Sequence, residues 1–164
     1  MKFFYLSILL TLSISVTAQK EASFIEDSLK QELIRKTFTL ESTEKKAERL
    51  MYLITAKEMA IRSTELKDSI FQGLVAIQAF NFNTNYEGNK NDIDIYRGLY
   101  QALQRFEDPI IKVLPKIPNQ TGDELIKIEV DMREKLCFQI KRNMTVYEWE
   151  KFSPSLRYEK TCGL

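Results

Sequence analysis

The absence of proline before position 109 is the strongest constraint on how this chain folds. All four prolines of the 164-residue sequence lie between Pro109 and Pro154, and the five glycines are isolated from one another. Proline and glycine are the residues that end or weaken helices. Residues 20–107, which contain almost none of them, are therefore predicted to be mostly helical, and the fold class to be all-α.

Apolar residues recur at helical spacing along most of the chain. We expect helices over residues 21–36, over 39–65, from Asp68 or Ser69, from Asp92 or Asp94, and from Thr121 to about Arg142. A short C-terminal helix is predicted to begin with the capping box Thr145 to Glu148 and to end before Pro154, with an irregular tail after it. The expected architecture is a bundle of antiparallel helical hairpins.

The third of these helices has apolar residues on more than one side, which predicts that it is the most buried. Its main stripe comprises Ile70, Leu74, Ile77 and Phe80. Residues 81–91 are rich in asparagine and are predicted to form the loop after it. Gly88 is the expected position of positive φ in that loop.

The second helix carries a weak coiled-coil pattern. Leu40, Ala47, Ile54 and Ile61 are seven residues apart, with Leu50 and Leu53 beside them. The partner positions Lys36, Thr43 and Lys57 are polar, which weakens a two-stranded seam. We therefore expect this stripe to pack against neighbouring helices of the same chain, and a dimeric coiled coil is the alternative.

Three prolines between residues 108 and 121 indicate a boundary in the middle of the chain. Residues 19–107 are predicted to form a helical domain and residues 108–121 an extended linker. Residues 122–164 are predicted to form a C-terminal helical segment that packs on the first domain.

The N-terminus has the features of a signal peptide. Lys2 precedes an uncharged apolar stretch from Leu6 to Val16 that is too short to span a bilayer as a helix. Small residues precede a predicted cleavage site after Ala18. We therefore expect a secreted or periplasmic protein without stable membrane insertion after cleavage, and an uncleaved, tethered form is the alternative.

Charge gives no indication of nucleic-acid binding. The chain has 24 Lys and Arg against 23 Asp and Glu, and the removal of residues 1–18 takes away Lys2 alone. Proteins that bind nucleic acid carry a clustered basic excess. We therefore expect no nucleic-acid partner; the partner in our hypothesis is a protein of unknown identity.

Two cysteines, Cys137 and Cys162, are the candidates for a disulfide. An exported protein meets an oxidising environment, where a bond between them would close a loop of about 25 residues. Sequence spacing alone does not bring two Cα atoms within bonding range. Two free thiols remain the alternative.

The composition excludes several chemistries. The chain has no histidine, so it has neither a histidine-based catalytic triad nor a histidine zinc site, and its isolated glycines form no phosphate-binding loop. Oxygen ligands for calcium are offered by Asn89, Asn91, Asp92 and Asp94. Helix capping explains these residues better, and we expect no metal and no cofactor.

No catalytic residues are predicted. The carboxylate pairs Glu129 with Glu134 and Glu148 with Glu150 are expected on solvent-exposed faces. Cys137 has no histidine to activate it as a nucleophile. Trp149, on the short C-terminal helix, is expected to be a hydrophobic plug and not a ligand platform.

Two stretches resemble a known family. The first consists of three runs: Ala56 to Ser63, Leu74 to Asn83, and Asp94 to Leu103. It resembles the helical segment before the propeller in bacterial WD40-repeat proteins of the signal-transducing ATPase (STAND) type. The second, from Cys137 through Trp149 to the run Tyr158 to Cys162, is similar to the segment that closes these proteins after the propeller.

The resemblance implies a reduced relative, because the propeller repeats and the ATPase module are missing from this sequence. It therefore implies a scaffold in a signalling setting and no catalytic activity. Our hypothesis is an exported, non-catalytic helical protein that acts through protein contacts, with Tyr86, Tyr96 and Tyr100 as the contact surface. The alternatives are a small hydrolase or ligand-binding protein with a carboxylate-lined groove, and a degenerate fragment without a partner.

Overall fold

The computed structural model describes residues 2–106 and 122–163, with side chains from residue 26 onward. These residues form five helices: α1 (Lys2–Ser63), α2 (Ser69–Asn85), α3 (Ile93–Gln104), α4 (Gly122–Ile140) and α5 (Val146–Phe152). The described residues contain no strand, which confirms the all-α prediction. The predicted linker 108–121 lies outside the described residues.

A single helix, α1, replaces the two helices predicted over residues 21–36 and 39–65. The expected break at Thr37 to Thr39 is absent. The hydroxyl of Thr37 donates to the carbonyl oxygen of Leu33 (2.9 Å), and that of Thr39 donates to the carbonyl oxygen of Arg35 (2.8 Å). Hydroxyl groups that bond back to the preceding turn are compatible with a continuous helix.

The chain divides into two units, Met1–Ala47 and Glu48–Leu164. In the first unit, almost every described side chain is exposed, and local ion pairs join Lys30 to Glu26 and Lys36 to Glu32. Exposed pairs one turn apart contribute only a few tenths of a kcal/mol each. The core formed by the described side chains lies in the second unit, between Tyr52 and Leu156.

Helix α2 is the centre of the second unit. Every residue from Gln72 to Phe80 is buried. The helix packs against α3 and α4, while the Phe82 ring meets Tyr52 of α1 at 5.0 Å and Trp149 of α5 at 5.7 Å between centroids. A helix that is apolar on several sides is stable only when it is enclosed. The prediction that this helix is the most buried one is confirmed.

Helix α2 runs to Asn85, beyond its predicted end at Phe80, because its asparagines make tertiary contacts. The amide of Asn81 donates to the carbonyl oxygen of Thr161 (2.9 Å), and that of Asn83 donates to the carbonyl oxygen of Asn89 (3.1 Å). The positive φ of the following turn is at Glu87 (52°) and not at Gly88. Gly88 packs so closely on Asn83 that a Cβ would overlap its side chain.

Helices α2 and α3 form an antiparallel hairpin, and α4 lies alongside α3 in the same direction. The starts of α3 and α4 are joined by an ion pair between Lys90 and Asp123 (2.9 Å). At the other end, a Cβ built on Gly73 would contact both Phe106, after α3, and Ile140, the last residue of α4. This arrangement places both helices against α2.

Helix α1 crosses α3 at Gly98, where small residues allow a close approach. A Cβ at Gly98 would lie 2.9 Å from Oγ of Ser63 and 3.2 Å from the carbonyl oxygen of Ala60. Gly98→Val is therefore expected to lower the free energy of unfolding by about 1 to 3 kcal/mol through overpacking. Urea unfolding of wild type and Gly98→Val measures this difference in the free energy of unfolding. A gain in stability, as helix propensity alone would give at an open glycine, would contradict the close crossing.

Candidate contact surface

The outer face of α1 leaves large apolar side chains exposed. Leu50, Ile54 and Ile61 are 58%, 67% and 46% exposed, respectively. The buried face of the same helix is formed by Tyr52, Ala56, Met59, Ala60 and Ser63. The prediction that the stripe of Ile54 and Ile61 packs within the chain is therefore wrong, because the helix is rotated so that its small residues meet α3.

A groove of about 500 Å³ runs beside this exposed face. One wall belongs to α1 and the other to the end of α2 and the turn before α3. The lining residues are Leu50, Leu53, Ile54, Lys57, Glu58, Ile61, Asn83, Gly88, Asn89 and Asp92. Large apolar side chains thus form one wall of the groove, while most of the remaining residues are polar or charged.

Lys57 and Glu58 place opposite charges next to each other on the groove. The ammonium of Lys57 lies 3.6 Å from Oδ2 of Asp92 and 3.4 Å from Oδ2 of Asp94. The charge of Asp92, followed by the contact with Asp94, raises the pKa of Lys57 above its ordinary value. Glu58 is paired with Arg62 one turn later (2.7 Å). The exposed face therefore presents a basic and an acidic side chain side by side.

The turn at the end of the groove is held in place by Arg49. Its guanidinium donates to the carbonyl oxygens of Tyr86 and Glu87, both at 2.8 Å. The Tyr86 ring stacks on Tyr52 of α1 with centroids 3.8 Å apart. Burial, followed by the hydrogen bond with Tyr52, raises the pKa of Tyr86. These contacts fix the second wall of the groove to α1.

The three tyrosines predicted as the contact surface do not form an exposed patch. Tyr96 is only 6% exposed, so it belongs to the core, and its ring stacks on Tyr100 (5.9 Å between centroids). Tyr86 and Tyr100 are half-buried. Their spacing on a helix did not show which face would be covered by a neighbour. Helix α1 instead exposes several large apolar side chains along one groove.

Glu129 is the clearest departure from the prediction that the carboxylates lie on solvent-exposed faces. It is 2% exposed, within the inner stripe that α4 forms with Leu125, Met132, Leu136 and Ile140. Its Oε1 has no hydrogen-bond partner. Burial, with the charge of Asp92 as a second cause, raises its pKa to about 8. The sequence allowed this burial, because positions 128 and 129 both fit the helical spacing between Leu125 and Met132.

The other carboxylates considered for catalysis do not share a cleft with Glu129. Glu134 and Glu150 are exposed. Glu148 accepts two hydrogen bonds from the guanidinium of Arg142, both at 2.8 Å, and this contact is the largest cause that lowers its pKa to about 2. Glu148 also closes the predicted capping box with Thr145.

The residues considered for calcium act as helix caps and turn formers. Asp92 Oδ1 accepts a hydrogen bond from the backbone nitrogen of Asp94 (3.0 Å) at the start of α3. Asn89 Oδ1 accepts one from the backbone nitrogen of Asn91 (3.0 Å). Among the side chains of residues 26–106 and 122–163, no three acidic or cysteine groups are placed to hold a metal ion.

A disulfide anchors the C-terminal tail to α4. Cys137 and Cys162 are bonded, with Cα atoms 5.4 Å apart. The backbone nitrogen of Cys162 donates to Oδ1 of Asn143 (2.8 Å). A disulfide of this kind indicates an oxidising compartment.

Trp149 is the plug that the sequence predicted. Its ring is 2% exposed and lies edge-on to both Phe82 and Tyr158. Its indole nitrogen donates to the carbonyl oxygen of Leu156 (3.0 Å), and the hydroxyl of Tyr158 donates to that of Met144 (2.7 Å). Trp149 and Tyr158 therefore fix α5 and the tail to the core, whereas Tyr147 is exposed.

In the part of the chain that the structure describes, no helix has both the length and the apolar character needed to cross a membrane. Comparisons of the chain with protein-family models, with curated proteins and with solved structures find no match.

Proposed function

We propose that this protein is an exported, non-catalytic module that acts by binding another protein chain through the outer face of α1. The single observation that carries the proposal is the exposure of Leu50, Ile54 and Ile61 along the groove. Contiguous exposed apolar surface with a polar rim is typical of protein interaction sites. The groove also has a second wall, which offers a partner side chain more contact than a bare helix would.

The proposed setting is outside the inner membrane. The disulfide supports it, because such bonds persist in oxidising compartments and are rare in reducing ones. The N-terminal sequence supports it through the signal-peptide pattern, with cleavage proposed after Ala18.

The hydrolase and ligand-carrier alternatives receive less support. Of the carboxylates that line the groove, Asp92 faces Lys57 and Glu58 faces Arg62. Glu129, whose pKa is raised, is buried on the inner face of α4 and is not among the residues that line the groove. General acid-base work needs a pair of carboxyls of different pKa that face one substrate.

The proposed kinship with propeller-flanking segments concerns the scaffold. Its more specific motif contains Cys137, Trp149 and the Thr161-Cys162 pair, all of which lie in the cluster that fixes the tail. A motif of this kind preserves packing and does not create a binding site.

Affinity capture from the protein's own cells, with a matched pair of variants, tests the proposed function. The wild-type chain, Ile54→Asp and Glu134→Lys are compared by quantitative mass spectrometry. Ile54 and Glu134 are both exposed, so neither change is expected to disturb the core. We expect a partner, either a different protein or further copies of this chain, that wild type and Glu134→Lys retain and Ile54→Asp loses at least tenfold, as for a hot-spot residue. Equal recovery by all three would refute the proposed surface.

A further inference from the structure

The exposed face of α1 has an order of residues that is complementary to itself. Ile54, Lys57, Glu58 and Ile61 are at positions i, i+3, i+4 and i+7, so they lie on one side of the helix. All four line the groove. Read in the opposite direction, the order is isoleucine, glutamate, lysine, isoleucine. The two ends are the same, and the two central charges are exchanged.

This order has a geometric consequence for two copies of the chain. If two α1 helices lie antiparallel, with a two-fold axis between Lys57 and Glu58, Ile54 of each copy faces Ile61 of the other. Lys57 of each copy then faces Glu58 of the other. A two-fold interface must present the same surface on both sides, and this stretch satisfies that requirement in both apolar contact and charge.

We propose that the occupant of the groove is a second copy of this chain, which binds through an antiparallel, two-fold pairing of α1 over residues 54–61. The proposal rests on the proposed function and names its partner. The self-complementary charges favour a second copy over an unrelated helix, since a foreign helix would need no such order on this face.

The existing contacts of the two charged residues are compatible with this pairing. Lys57 is 57% exposed and Glu58 is 54% exposed at the side chain, although each has a partner within the chain. Ion pairs between half-exposed groups give little net affinity, but like charges placed opposite each other are strongly unfavourable. The charges are therefore expected to select the antiparallel pairing, while the isoleucines supply the affinity.

The test uses two charge variants. Each is expected to weaken self-association on its own, and a mixture of the two is expected to restore it. In Lys57→Glu, glutamates face glutamates across the axis, and in Glu58→Lys, lysines face lysines. An equimolar mixture of the two variants restores opposite charges at both positions. A parallel pair would place each position opposite itself, so wild type would already set like charges against each other. Neither single variant would then bind more weakly than wild type, and the mixture would bind more tightly than wild type instead of returning to its constant.

The measurement is the molar mass by sedimentation equilibrium between about 1 and 500 μM, a range that covers a weak to moderate helix pair. The full coding sequence is expressed, and the protein is studied in the form that the cells produce. We expect wild type and the control Glu134→Lys to form dimers. Each charge variant is expected to bind itself about tenfold more weakly or worse, and the mixture is expected to return to the wild-type constant.

Circular dichroism of each variant accompanies the mass measurement, because Lys57→Glu also faces Asp92 and Asp94. Ile54→Asp provides a second variant that leaves those aspartates paired, and it is expected to be monomeric. A wild-type monomer over the whole range, or a mixture that stays monomeric while both variants are folded, would overturn the self-pairing. If capture from cells at the same time retains a foreign protein that Ile54→Asp loses, the proposed function stands and only the identity of the partner is wrong.

Discussion

Replacement of Glu129 by glutamine is expected to raise the free energy of unfolding at pH 8 by about 4 kcal/mol and to leave it nearly unchanged at pH 4. The reason is the burial of a carboxyl group that has no partner for Oε1 and faces the negative charge of Asp92. The folded chain keeps Glu129 protonated up to a pKa of about 8, whereas the unfolded chain loses the proton near its ordinary value of 4.5. Unfolding therefore releases a proton between these two values.

The sign follows from this release. Because the native state binds more protons in this window, the stability of wild type falls as pH rises from about 4.5 to about 8 and then levels off. Glu148 acts in a different window, since its pKa is lowered to about 2 and its contribution is lost as pH falls below 4.5. A comparison of wild type with Glu129→Gln therefore isolates the contribution of the buried carboxyl to the pH dependence of stability.

Urea unfolding at pH 4, 6 and 8 measures the effect, with Glu134→Gln as the matched control. Both residues are on α4, but Glu134 is exposed, so its replacement is expected to leave the pH profile of wild type unchanged. Parallel stability curves for wild type and Glu129→Gln would show that Glu129 is ionised or hydrated in the native state.

Loss of the disulfide between Cys137 and Cys162 is expected to lower the free energy of unfolding by about 3.5 kcal/mol. The bond closes a loop of 25 residues, and the chain-entropy relation for a loop of that length gives this value. The double variant Cys137→Ala with Cys162→Ser tests it in urea unfolding. Much of the effect arises in the unfolded chain, which becomes free to separate the tail from α4.

Reduction provides the control for this prediction. Dithiothreitol is expected to destabilise wild type by a similar amount and to leave the double variant unaffected. Mass analysis after alkylation, with and without reductant, counts the free thiols in the same samples. Wild type that takes up two alkyl groups without reductant would show that the thiols are free.

The local structure was largely predictable from the sequence, but the buried faces were less so. The sequence predicts the cap at Thr145, and it narrows the caps of α2 and α3 to two nearby residues each, of which the structure uses Asp68 and Asp92. The continuity of α1 at Thr37 and the burial of Tyr96 were not predicted. The first depends on a hydrogen bond to a residue one turn earlier, and the second depends on packing against other helices.

The outer face of α1 is the most informative of these differences. A stripe with seven-residue spacing was expected to pack inside the chain, because such spacing usually marks a buried seam. In the structure, Ala56, Ala60 and Ser63 face the core instead, because Gly98 on α3 offers a close approach that only small residues can use. The large side chains of Ile54 and Ile61 are left outside.

By itself, the sequence determined the helical class, most of the caps and the lack of histidine chemistry, since these depend on residue types and on spacings within a few turns. Only the tertiary structure decided which face of each helix is covered, that Glu129 is buried, and that Cys137 reaches Cys162. The physical reason is that helix periodicity offers two or more comparable faces. The choice between them is made by how closely the neighbouring helices can approach, which no single segment specifies.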